Sequence, residues 1–204
     1  MLNIYPYNEY LYTIDLICHG TPSILLFKKY LIESGIKEFE KVNIKFRSKN
    51  IFGLYKNGIK ITPNRVSDSY MLSFLKGVDY TEKCYSCDYA SVMRVSDITL
   101  GDAWGGMAEN NSEGVSLVLC LSDKGKELLN KCNIELFDFE LETAVNGNRQ
   151  LRSPMPKNHG REKFAKNINK SFRFATLKAM PLLTFKQCIK YTLIKVHILK
   201  DIQG

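Results

Sequence analysis

Apolar positions near the start of the chain first cluster and then recur with a helical period, which predicts a strand followed by a helix. Residues 11–18 are rich in β-branched and aromatic side chains and predict the strand. Apolar residues at helical spacing follow, and the helix is expected to stop at Gly35. The turn between them contains Gly20, with Thr21 suited to the helix N-cap and Pro22 to the first helical position. A strand, a glycine turn and a helix form an α/β unit whose turn faces a ligand.

The rest of the pattern predicts short strands, hairpins and helices, with no internal repeat. The pair Asn57-Gly58 between apolar residues predicts a hairpin, because both turn positions need a positive φ. We also expect strands at 42–46, 98–100, 114–121 and 134–139, a short helix ending near Gly77, and a helix opened by Ser122. The predicted fold class is mixed α/β (α+β): a central mixed sheet with flanking helices, a β-hairpin insertion and a basic helical C-terminal tail. We divide it into an α/β domain over residues 1–150 and a mainly helical extension over 151–204.

Composition agrees with a folded protein. Of the 204 residues, 45% are hydrophobic and 25% are charged, which excludes wholesale disorder. No run of eighteen apolar residues occurs, so no transmembrane segment is expected. Residues 1–12 lack the basic leader and the apolar core of a signal peptide, and we therefore expect a cytoplasmic protein.

The positive charge is concentrated at one end of the chain. The formal net charge is +8, yet the 13 Lys and Arg of residues 145–204 face only 2 Asp and Glu. Three interpretations of this basic tail stay open: a solvated helical face, docking to an acidic partner or an anionic lipid surface, and nucleic-acid binding. Specific nucleic-acid binding is not expected, because residues 1–144 are slightly acidic and no recognition motif is present.

Six cysteines divide by their neighbours into candidates for chemistry and bystanders. Cys18, Cys84 and Cys87 have Gly, Pro, Ser or Asp nearby and are the candidates. The bystanders are Cys120, Cys132 and Cys188. Cys120 is expected to lie in a buried strand and fill the core. The turn in Cys84-Tyr-Ser-Cys87 can aim two sulfurs at one metal or cluster, but a redox dithiol and structural thiols remain alternatives. A cluster takes four ligands, and Cys18 is the natural third.

The glycine turn itself has two interpretations. His19 is expected to form a hydrogen bond within the turn rather than bind a metal, because neighbouring strand residues point to opposite faces. Thr21 and Ser23 suit an anion such as phosphate at a helix N-terminus, and simple helix capping explains them equally well.

The segment 101–106 contains the only tryptophan of the chain between glycines. Asp102 can accept hydrogen bonds from a cofactor ring or ribose, and Trp104 can stack on a flat ring system. The alternative is a tight loop that the tryptophan anchors to the core. No phosphate-binding glycine motif and no Ser-His-acid set accompany this segment.

Four motifs in a fixed order resemble a known family. They are Asp15-Leu-Ile-Cys-His-Gly-Thr-Pro-Ser23, Cys84-x-x-Cys87, Ser96-Asp-Ile-Thr-Leu-Gly-Asp-Ala-Trp-Gly105 and Gly114-Val-Ser-Leu-Val118. Together they resemble the C-terminal domain of the coenzyme F420 hydrogenase/dehydrogenase beta subunit family. Residues 148–164 are similar to the closing region of that family, so the resemblance covers roughly residues 10–170.

The resemblance implies an oxidoreductase that transfers electrons between a 4Fe–4S cluster, FAD and a soluble acceptor. It implies that Cys18, Cys84 and Cys87 ligate the cluster, with a fourth ligand from outside this chain. From side-chain chemistry we add five residues that would border the cofactor pocket: Gly20, Thr21, Gly101, Asp102 and Trp104. Coenzyme F420 itself is not expected, because many bacterial relatives work without it.

The chain also departs from the family pattern. It lacks the cysteine-rich ferredoxin-like module and the Gly-Thr-Pro-Cys segment with which full-length members begin. We therefore expect a shortened member that works with a redox partner protein or an upstream ferredoxin-like module. The alternative is a non-catalytic remnant or accessory domain that binds a partner protein, linked to the pyruvyl transfer of surface-polysaccharide biosynthesis.

Overall fold

The computed structural model describes residues 10–36, 42–48, 51–62, 67–106, 108, 111 and 114–199. In these ranges six strands are Ile14–Leu16 (β1), Asn43–Ser48 (β2), Ile51–Lys56 (β3), Ile59–Lys60 (β4), Ile98–Asp102 (β5) and Ser116–Cys120 (β6). Seven α-helices are Ile24–Glu33 (α1), Ser69–Leu75 (α2), Asp123–Asn130 (α3), Leu141–Gly147 (α4), Arg161–Asn167 (α5), Phe172–Ala179 (α6) and Pro181–Lys195 (α7). The predicted mixed α/β class is confirmed.

The chain forms two compact units that are discontinuous in sequence. The first unit contains Met1–His19 and Cys87–Pro154, and the second contains Gly20–Ser86 and Met155–Gly204. The division into domains at residue 150 stays a prediction. No described helix is long and apolar enough to cross a membrane.

The first unit is built on a mixed sheet with the order β1-β5-β6. β1 runs parallel to β5, and β6 pairs with β5 in the antiparallel sense. Behind the sheet lies a small apolar cluster consisting of Ala103, Ala108, Leu117, Ala144 and Leu151. The helix α3 begins as predicted at Ser122, whose hydroxyl oxygen accepts a hydrogen bond from the backbone N–H of Gly125 over 3.0 Å.

The second unit combines the antiparallel meander β2-β3-β4 with helices α1, α2, α5, α6 and α7. The turn between β3 and β4 is the predicted hairpin, with φ of 51° at Asn57 and 79° at Gly58. The larger apolar cluster of the molecule lies here and includes Tyr30, Leu54, Val78 and Phe172, all less than 5% exposed.

Two local predictions are wrong. The N-cap of α1 is Ser23, whose hydroxyl oxygen accepts from the N–H of Leu25 over 3.3 Å, and not Thr21. Residues 134–139 form no strand, because no described strand pairs with them. Ile134 is 52% exposed, and Phe139 packs against the apolar cluster of the first unit instead.

Candidate functional site

The sulfur of Cys84 is surrounded by polar groups of two threonines. Cys84 lies in the 3₁₀ helix Glu82–Ser86 and is partly exposed. The backbone N–H of Thr21 donates to the Cys84 sulfur over 3.3 Å, and the hydroxyl oxygen of Thr81 lies 3.3 Å from the same sulfur. The Cys84 sulfur also lies 3.8 Å from the carbonyl oxygen of Thr21, to which its thiol can donate. Hydrogen bonds to a cysteine sulfur tune the potential of a cluster attached to that sulfur. Among the described contacts of the six cysteines, only the sulfur of Cys84 accepts from a backbone N–H.

The glycine turn reaches Cys84 because a tyrosine ring packs directly against it. The backbone N–H of Thr81 donates to the carbonyl of Thr21 over 2.9 Å, and Pro22 forms an isolated β-bridge with Tyr80. Gly20 has a φ of 146°, and a β-carbon placed on it would lie 2.1 Å from a ring carbon of the buried Tyr80. The protein's own ring fills the space of a side chain at Gly20, so packing alone requires glycine there.

Arg161, the first residue of α5, holds the loop that leads to Cys84. Its guanidinium donates to the carbonyls of Val78 and Tyr80 over 3.1 and 2.7 Å, and to the hydroxyl of Tyr85 over 2.8 Å. The same guanidinium stacks 4.7 Å from the ring centre of Tyr85. A planar group with several fixed donors can satisfy these acceptors together. The sequence assigned Arg161 to the basic tail, whereas the structure uses it to brace the candidate site.

A buried carboxyl group lies within the same loop. Asp79 is 2% exposed; one carboxyl oxygen accepts from the hydroxyl of Ser73 over 3.0 Å, and the other has no hydrogen-bond partner among the described residues. Burial raises the pKa of Asp79 to about 6, although the Ser73 hydrogen bond and the charge of Arg161 oppose that rise. Asp79 therefore changes its charge between mildly acidic and neutral pH.

In the first unit, Arg94 joins the segment after Cys87 to the strand before Cys18. Its Nε atom donates to a carboxylate oxygen of Asp15 over 2.9 Å, and Nη2 donates to the following carbonyl, that of Leu16. On the other side Nη1 donates to the carbonyl of Tyr89 over 2.6 Å. The side chain of Arg94 is only 5% exposed. Nothing in the sequence pattern distinguished this arginine from a surface residue.

His19 makes a hydrogen bond, as expected, but its partner is not in the turn. Its ring Nδ1 lies 3.1 Å from the side-chain nitrogen of Gln150. Gln150 belongs to the 3₁₀ helix Arg149–Leu151. The histidine thus ties the end of the β1 segment to that region of the first unit.

The loop after β5 is braced by packing and by one asparagine. A β-carbon on Gly101 would lie 2.5 Å from the side chain of Ile17, so close contact with the β1 segment requires glycine there. The side-chain amide of Asn148 donates to the carbonyl of Asp102 over 3.1 Å and to that of Ala144 over 3.0 Å. Asn148 therefore holds the predicted pocket-lining loop against the end of α4.

Trp104 combines a fixed backbone with a half-exposed ring. Gly147 approaches so closely that a β-carbon there would lie 2.8 Å from the β-carbon of Trp104, while 52% of the tryptophan remains exposed. Nearby is an apolar cavity of about 260 Å³, lined by Ala108, Asn111, Val115, Phe137 and Phe139.

The described side chains do not form a metal centre. No three His, Cys, Asp or Glu side chains are grouped as ligands anywhere in the described ranges. The remaining thiols are exposed: Cys120, Cys132 and Cys188. The prediction that Cys120 fills the core is wrong, because it occupies the last position of β6 at one edge of the sheet.

The comparisons support the resemblance that the motifs carry. A family model described as the C terminus of the beta subunit of coenzyme F420 hydrogenase/dehydrogenase matches residues 3–143. The matched range contains all four motifs and every candidate site residue named from the sequence. Searches of curated proteins and of solved structures returned no match to this chain.

Proposed function

We propose that this chain is the electron-transfer domain of a multi-protein oxidoreductase. The premise is that it belongs to the coenzyme F420 hydrogenase/dehydrogenase beta subunit family, whose C-terminal domain its sequence matches. In this role it passes electrons between a redox partner protein and a soluble acceptor. The partner, or a ferredoxin-like module preceding this domain, completes the cofactor set. The family match supports this class of activity.

The environment of Cys84 is the observation that carries the proposal. An N–H and a hydroxyl within 3.3 Å of one sulfur form a polar setting suited to a thiolate. These two groups come from two chain segments, which are held in place by Arg161 and by the packing of Gly20 against Tyr80. A surface thiol without a function would not require such fixed neighbours. The sequence singled out the same cysteine from its spacing to Cys87.

The finer proposal concerns the cofactors. We propose Cys18, Cys84 and Cys87 as thiolate ligands of a 4Fe–4S cluster, with the fourth ligand from the partner or preceding module. A flavin is proposed beside Gly20, Thr21, Gly101, Asp102 and Trp104, where the half-exposed indole offers a stacking surface. FAD, when bound, would supply the exchange between one-electron and two-electron chemistry.

Anaerobic reconstitution of the full chain with iron, sulfide and FAD tests this proposal. We expect retained iron and sulfide in the unmodified chain and a loss of both in Cys84→Ser. Cys132→Ser is the matched control, because it removes an exposed thiol that only donates to the carbonyl of Leu128 within its own helical turn. Absence of iron, sulfide and flavin after reconstitution would overturn the redox proposal and leave the family membership intact.

A second candidate is a non-catalytic accessory domain that binds a partner protein, in a setting such as surface-polysaccharide pyruvyl transfer. The basic tail supports it, because the 13 Lys and Arg of residues 145–204 face only 2 Asp and Glu. Co-purification of a flavin- or cluster-bearing protein, unchanged by Cys84→Ser and Cys87→Ser, would support this candidate. Loss of the partner in both cysteine variants would instead support the electron-transfer role.

A further inference from the structure

Helix α7 of the second unit carries an apolar stripe on its outward face. Leu182, Phe185 and Ile189 are 78%, 65% and 45% exposed, and Val196 immediately after the helix is 56% exposed. At 3.6 residues per turn these four positions fall within an arc of about 60°. The helix has no fully buried residue, although it is 15 residues long.

The opposite face of α7 is the one that packs against the protein. Leu183 lies against the apolar cluster of the second unit. Gln187 and Tyr191, one and two turns further on, are also partly buried. The inward face is therefore accounted for, and the exposed stripe is a second apolar surface on the same helix.

The charges around the stripe are all positive. Lys186 and Lys190 flank it on one side and Lys195 lies towards the other, and all three are exposed. From residue 178 to residue 200 the sequence contains five Lys and no Asp or Glu. A helix face with apolar side chains between cations, and without anions, complements the surface of an anionic bilayer. Such a bilayer has negatively charged headgroups above an apolar interior.

We propose that α7 docks this chain peripherally onto an anionic lipid bilayer, with the helix lying flat and the stripe of Leu182, Phe185, Ile189 and Val196 in the headgroup region. Lysine favours a bilayer over a protein partner, because interface cores of proteins are depleted of lysine whereas lysine ammonium groups extend readily to lipid headgroups. The exposed Ile198 and Leu199 continue the apolar surface beyond the helix end. This inference does not depend on the redox proposal.

Vesicle co-sedimentation of the full chain tests the inference. The probes are vesicles of phosphatidylcholine alone and vesicles of an equal mixture of phosphatidylcholine and phosphatidylserine, at physiological salt. Each lysine near an anionic surface contributes roughly 1 kcal/mol, or about a fivefold change in affinity. We expect binding to the anionic vesicles that falls at least about 25-fold in Lys186→Glu/Lys190→Glu. A fall of at least about tenfold is expected in Leu182→Ser/Phe185→Ser, because burial of each apolar side chain is removed.

The matched control is Lys163→Glu/Lys166→Glu on α5, which makes the same change in net charge at exposed positions. It should retain most of the binding, because both lysines lie on α5 and not on the helix that carries the stripe. Circular dichroism of each variant verifies that the helices remain folded. Equal binding to neutral vesicles, no binding to anionic ones, or an equal loss in the α5 control would overturn the inference. So would a dimer that Leu182→Ser/Phe185→Ser converts to a monomer, since the stripe would then cover a second copy of this chain.

Discussion

Asp79 is expected to make the stability of the second unit depend on pH. Its pKa is 3.8 in the absence of the fold and about 6 in the folded state. Because the folded state binds this proton more tightly, the stability that Asp79 contributes is fully present below about pH 4 and is lost as the pH rises through about 6. A difference of about two pKa units corresponds to about 3 kcal/mol. That is a substantial part of the 5–15 kcal/mol that typically separates folded and unfolded states.

The substitution Asp79→Asn isolates this effect. The asparagine keeps an oxygen that can accept from Ser73 but cannot ionise. We compare the unfolding free energy of Asp79→Asn with that of the unmodified chain. As the pH rises from 4 to 7, we expect this difference to shift by about 2–3 kcal/mol in favour of Asp79→Asn. Any constant offset from the amide group cancels in this comparison, because only the change with pH is measured.

Urea unfolding followed by far-UV circular dichroism at several pH values provides the measurement. Asp88→Asn, at an exposed position, removes the same formal charge and is the control. Its difference from the unmodified chain should vary with pH by less than about 0.5 kcal/mol, as is usual for surface substitutions. A difference between Asp79→Asn and the unmodified chain that stays constant from pH 4 to pH 7 would refute the argument from burial.

Three further substitutions test how the candidate site is held. Gly20→Ala should destabilise the protein by at least about 2 kcal/mol more than Gly35→Ala in urea unfolding, because both have positive φ but only Gly20 meets a ring at 2.1 Å; equal effects would contradict this. Arg161→Met should lower the unfolding free energy by about 2–4 kcal/mol, since two carbonyls lose their charged donor; a change below about 0.5 kcal/mol would contradict the bracing role. Asn148→Ala should lower it by about 1–2 kcal/mol and shift the emission of Trp104, the only tryptophan; an unchanged spectrum would show that the loop is held otherwise.

Local pattern predicted the elements whose signals are short in range. The Asn57-Gly58 turn, the helix cap at Ser122 and the helix that ends before Gly77 follow from backbone preferences of a few residues. The prediction of a strand at 134–139 is wrong, because a strand exists only when another strand pairs with it. Its alternating apolar residues carry no information on whether such a partner is present.

The order of the motifs predicted the family, and spacing singled out Cys84 and Cys87, because such signals are properties of the chain itself. The side chains that hold the site were decided by the tertiary structure. Arg161 lies 76 positions after Tyr85, and Arg94 lies 79 positions after Asp15, yet each pair is in hydrogen-bond contact. An isolated arginine in a sequence is indistinguishable from a solvated one, since only folding decides which carbonyls and carboxylates surround it. The same applies to Asp79, whose raised pKa results from burial that no local pattern reveals.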